Sequence, residues 1–157
     1  MIGPKDTQPL EDFRLAWRFT APHYELPETA RRSVRPLTAN AAARLMARVA
    51  QLHDSSYATR FDEIAERQVD GRFDPERESP VAFWLDELIP ADPTDVLVSY
   101  DETTALQVPR DVFVEWWGAF LYPTEDVIVI PADASWSLAW DYKQNLYFAR
   151  ARTEDPG

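Results

Sequence analysis

Between residues 95 and 150 the chain adopts a two-residue rhythm. Val96–Tyr100 and Thr103–Val108 flank Asp101-Glu102, Val127-Ile128-Val129-Ile130 is apolar throughout, and Trp136, Leu138, Trp140 and Tyr142 alternate with Ser137, Ala139 and Asp141. Alternation puts successive side chains on opposite faces of a strand, and an unbroken apolar run suits a strand covered on both faces. One segment departs from the rhythm: Pro109 opens a helix through about Phe120, with Val112, Phe113, Trp116, Trp117 and Phe120 as its apolar face, and Tyr122-Pro123 ends it. With a last strand at Asn145–Arg150, the order β-β-α-β-β-β predicts an α+β fold, a largely antiparallel sheet of about five to six strands packed against two to four helices. One helix face cannot hide two adjacent indoles, so one of Trp116 and Trp117 is expected at the core's margin.

Upstream, residues 1–11 read as a loose tail. Phe13, Leu15, Trp17 and Phe19 alternate with Arg14, Ala16, Arg18 and Thr20, which predicts a strand with a basic outer face. Residues 28–36 read as basic and irregular. Thr38 is an N-cap for an amphipathic helix over 39–53, carried by Ala42, Leu45, Met46, Val49 and Leu52. A weaker helical pattern runs over 60–69 and a charged loop over 70–78. Ser79-Pro80 starts a helix that ends at Pro90. The whole is read as one domain with a possible seam at 90–94 and a loose tail at 151–157.

Composition narrows the function. The chain has no cysteine, which excludes disulfides, thiolate metal sites and cysteine nucleophiles. No apolar run approaches a membrane span and no leader pattern opens the chain, so a cytoplasmic location is expected. Fourteen of the 16 bases are Arg, which with the abundant Ala suggests a bacterial origin. The net charge of −11 disfavours nucleic acid and anionic membrane as partners and leaves a basic protein, cations or simple solubility to explain it. The charge is uneven: residues 95–157 carry 11 acids and 4 bases, and from Asp95 to Asp141 nine carboxylates face one base, Arg110.

No motif assigns chemistry. His23 lies in a Pro-flanked loop and His53 in the last turn of the 39–53 helix, with no zinc or triad spacing. The four glycines lie in no phosphate-cradling loop. No catalytic residue, metal or cofactor is therefore expected. Asp101, Glu102, Asp133 and Asp141 sit at strand ends, where turn chemistry explains them first. If they converge, they form a carboxylate site for metal-dependent or acid–base hydrolysis, and if they form rows, a DNA mimic. The reading preferred here is a non-enzymatic acidic binding protein that uses Asp101, Glu102, Trp117, Asp133 and Asp141 against a basic protein. The final strand, 145–150, is a possible edge for pairing with a second copy.

The segment WWGAFLYPTEDVIVIPADASWSLAWDYKQNLYFAR resembles the C-terminal part of small, acidic bacterial proteins, some of which look like immunity proteins that neutralise secreted or contact-delivered toxins. The likeness covers about residues 95–150. It implies protein binding and carries over no individual functional residue.

Overall fold

A computed structural model describes residues 2–20, 26–53, 67–70, 81–92, 94–122 and 125–150, with 51–53 and 67–70 as backbone only. The fold is α+β. All strand pairings are antiparallel: β1 (Arg35–Pro36), β2 (Arg67–Asp70), β3 (Asp95–Asp101), β4 (Thr104–Pro109), β5 (Val127–Pro131), β6 (Trp136–Trp140) and β7 (Asn145–Arg150) form one sheet in the order β1-β4-β3-β5-β6-β7-β2. Six of these have ordinary length, and the two-residue β1 is a seventh.

The register fixes the two faces. Val96 pairs with Val108 and Val98 with Leu106; Val127 pairs with Trp140 and Leu138 with Phe148. These side chains share one face and form the main core with Phe13, Leu15, Phe19, Leu85, Ile89, Phe113 and Phe120. The other face carries Leu97, Ala105 and Ile130, and α3 (Ala39–His53) covers it with Ala41, Ala42, Leu45 and Val49. The stripe predicted for 39–53 is thus a helix, and Thr38 Oγ1 accepts from the Ala41 amide at 3.2 Å as its cap.

Several expectations change. Residues 13–20 are not a strand. Ala16 N–H donates to Phe13, Arg18 to Leu15 and Phe19 to Ala16, each at 3.0 Å, and α1 (Trp17–Thr20) closes the coil. Three-residue spacing then exposes Arg14, Trp17 and Thr20 and turns Arg18 inward. Residues 2–12 are docked rather than loose: Gln8 N–H donates to Pro36 O at 2.9 Å, Thr38 N–H to Asp6 O at 2.8 Å, and Asp6 pairs with Arg44 of α3. Residues 28–36 are ordered as α2 (Glu28–Ser33) and β1. Arg67–Asp70, the described part of the 60–69 helical pattern, form β2 instead, because pairing with β7 satisfies backbone groups there. That pairing leaves β7 with a neighbour on each side, so it is not an edge open to a second copy. Residues 21–25 with His23, the 60–66 part of the weaker helical pattern, residues 71–80 and the 151–157 tail lie outside the described residues, as does the His53 side chain.

The segment after Pro109 is two short helices, α5 (Arg110–Glu115) and α6 (Trp117–Phe120), broken at Trp116, whose φ of −114° and ψ of 31° are not helical. The break rotates the second helix, so Trp116 and Trp117 both pack half-buried against the main core. Arg110 is buried. Its Nη2 donates at 2.7 Å to Asp86 O and Ile89 O, holding the carboxyl end of α4 (Val81–Leu88), and its Nη1 meets Asp86 at 2.7 Å. A cation on the last carbonyls of a helix satisfies acceptors that the helix leaves open.

Candidate partner-binding end of the sheet

Antiparallel order sends alternate loops to the same end of a sheet. The β3–β4 turn (Asp101, Glu102), the approach to β5 (Glu125, Asp126) and the β6–β7 turn (Asp141) share one end, because Ser99 pairs with Ile128 and Val127 with Trp140. β3 and β6 are two strands apart, roughly 10 Å. Asp133 lies in the β5–β6 turn at the opposite end, beyond a five-residue strand of roughly 17 Å. Trp117 packs over the first end, its ring 6.1 Å from that of Trp140. The structure therefore groups Asp101, Glu102, Trp117 and Asp141 and separates Asp133. Among the described residues no three carboxylate or histidine side chains are placed to hold a metal.

The carboxylates differ in what they do. Asp101 Oδ1 accepts from Thr103 N–H at 2.9 Å and Oδ2 pairs with Arg14 at 2.8 Å, so its charge serves the turn and an exposed ion pair. Asp133 makes the same kind of turn, accepting from Ser135 N–H at 3.1 Å and Ser135 Oγ at 2.8 Å. Asp141 accepts from the amides of Lys143 and Asn145 at 2.9 and 3.0 Å and from the Tyr147 hydroxyl at 2.9 Å. Gln144, at φ 66°, closes that turn in the left-handed region. Glu102 and Asp126 are exposed. Asp126 accepts from Tyr142 N–H at 3.1 Å, and Tyr142 is itself 60% exposed with Lys143 Nζ 5.7 Å from its ring.

Burial alone would raise the pKa of Asp141, but the Asn145 and Lys143 amides and the Tyr147 hydroxyl outweigh it and hold the carboxyl below its usual value. A folded pKa below the unfolded one gives stability that is present above about pH 4 and lost as pH falls through the folded value. Asp141→Asn should cost about 1 kcal/mol at pH 7 and flatten the loss of stability as pH falls from 7 to below about 4. Urea midpoints at both ends of that range check it. An equal deficit at neutral and acid pH contradicts the assignment.

Sequence reasoning missed Arg18, the group that builds this end. Its side chain is 2% exposed and its Nη2 pairs with Glu125. The guanidinium carbon lies 3.9 Å from the Tyr122 ring centroid, 5.2 Å from Tyr100 and 5.6 Å from Trp17. Nε and Nη1 make no hydrogen bond, so ring faces take the place of acceptors around them. Burial draws the Arg18 pKa down while Tyr100 and Tyr122 support the charge; burial also lifts the Tyr100 phenol, whose hydroxyl donates to Phe120 O at 2.8 Å. Trp17 rests edge-on against Tyr122 and stays 48% exposed. The one signal in the sequence was Arg18 three residues after the apolar Leu15, a spacing that a strand reading discards.

The end of the sheet thus presents two exposed aromatic rings, Trp17 and Tyr142, among Glu102, Asp126 and Asp141, on a frame fixed by Arg18. No helix among the described residues is long and apolar enough to cross a membrane. A family model described as "Protein of unknown function (DUF2947)" matches residues 7–148. No curated protein and no solved structure matches the chain.

Proposed function

The chain belongs to the DUF2947 family, and we propose that it is a non-enzymatic acidic binding protein whose partner is a basic protein, in the manner of an immunity-type inhibitor. The observation that carries this reading is the placing of exposed Trp17 and Tyr142 beside Glu102, Asp126 and Asp141 at one end of the sheet. Aromatic rings with a polar edge are the usual anchors of protein interfaces. Fixed carboxylates around them steer a cationic surface and set its register. Arg14 and Arg18 neutralise Asp101 and Glu125, so the acidic field rests on the other three, less the one positive charge of Lys143 in the same turn. The reading places the protein in a bacterial cytoplasm, consistent with a chain that uses no cysteine.

Immobilised protein should retain a basic protein from the source lysate at about 50 mM salt and release most of it at about 500 mM, where the screening length falls well below 10 Å. Once that protein is purified, Glu102→Lys with Asp126→Lys should slow its association by about tenfold or more. Retention that ignores salt, or no retained protein at either salt, counts against the proposal.

A further inference from the structure

A second site lies at the other end of the sheet, on the face that α3 covers. There α3 and the sheet flank a half-open cavity of about 440 Å³. That volume falls within the roughly 300–1,000 Å³ of small-molecule sites. Arg44, Leu45 and Arg48 line it from α3, and Asp95, Leu97 and Gln107 line it from β3 and β4. Arg44 and Arg48 are one helical turn apart and share a face.

The charges on the two walls are not equivalent. Arg44 pairs with Asp6. Arg48 makes no ion pair or hydrogen bond among the described residues. Across the cavity, Asp95 Oδ2 accepts from Gln107 Nε2 at 3.0 Å, and Oδ1 has no donor among the described residues. Leu45 and Leu97 add apolar lining, one from each wall.

We propose that this cavity binds a free amino acid with an apolar side chain. Its carboxylate meets Arg48, its ammonium meets Asp95, and its side chain lies on Leu45 and Leu97. Both polar contacts are charge-assisted and the body of the ligand is desolvated on an apolar surface. A plain carboxylate of the same skeleton faces Asp95 without a cation to offer, and a plain amine faces Arg48 without an anion. Each is therefore disfavoured by like charge as well as by a missing contact.

The test is calorimetric titration with L-leucine, with 4-methylpentanoate, which lacks the ammonium, and with 3-methylbutylamine, which lacks the carboxylate. Leucine should bind saturably, and each analogue at least about tenfold more weakly. Arg48→Ala and Asp95→Asn should each weaken leucine by a similar factor while circular dichroism stays that of the parent. Arg48 is half-exposed and asparagine can still accept from Gln107, so both variants should fold. The proposal is overturned if leucine fails to bind at millimolar concentration, if either analogue binds as well as leucine, or if folded Arg48→Ala binds leucine normally.

Discussion

Trp140→Ala should lower the unfolding free energy by about 4 kcal/mol, within the range for a large buried aromatic truncated in a core. The side chain is buried on the main-core face of β6, between Val127 and Leu146 of the neighbouring strands. Its Nε1 donates to Tyr122 O at 2.8 Å, and its ring meets Trp117. Truncation opens a cavity, removes that donor and frees α6 on its outer side. Against a typical total of about 5–15 kcal/mol this is a large fraction. Trp140→Phe keeps most of the volume and loses only the donor, so it should cost about 1–2 kcal/mol. Urea unfolding of the three proteins checks both numbers. Equal midpoints for the alanine and phenylalanine variants contradict the packing described.

Arg18→Ala should cost about 3 kcal/mol, the scale of removing one partner from a buried ion pair. The loss has two parts. Glu125 keeps a charge whose Oε2 is buried without a hydrogen bond, and three aromatic rings lose the cation between them. Arg18→Met combined with Glu125→Gln removes both charges while keeping much of the volume. It should therefore recover about half of the deficit or more, since well-packed apolar replacements of buried pairs are often close to neutral. The exposed Arg14–Asp101 pair nearby is a control, and Arg14→Ala should cost under about 1 kcal/mol. If Arg14→Ala and Arg18→Ala destabilise alike, Arg18 is not the group that frames this end.

What the sequence discloses and what it hides follow from range. The strands of 95–150 and the helix at 39–53 are legible because their periodicity is local and their burial is one-sided or complete. Residues 13–20 are not, since four alternating apolar residues suit a strand or a tight coil, and the choice depends on whether a partner strand or the preceding carbonyls satisfy the amides. Arg67–Asp70 carries no clear strand pattern and becomes one only because β7 offers a free edge 75 or more residues later in the chain. At the candidate site, Asp101, Glu102, Trp117 and Asp141 are readable as turn and margin residues. Their convergence, and the exile of Asp133, come from strand order, which no local pattern states. The nine-to-one charge count missed Arg14 and Arg18 for the same reason: they arrive from 80 or more residues away to pair with Asp101 and Glu125.

We propose that one end of the sheet, and not the molecule's overall acidity, is the binding surface. The direct measurement is parallel capture of the basic partner by two variants that change net charge equally. One carries Glu102→Lys and Asp126→Lys at the proposed end. The other carries Asp133→Lys and Asp92→Lys, exposed positions outside it. The first variant should lose most of the partner at about 50 mM salt, and the second should retain it as the parent does. Equal loss in both variants would show that bulk charge does the binding, and loss only in the second would place the surface at the opposite end.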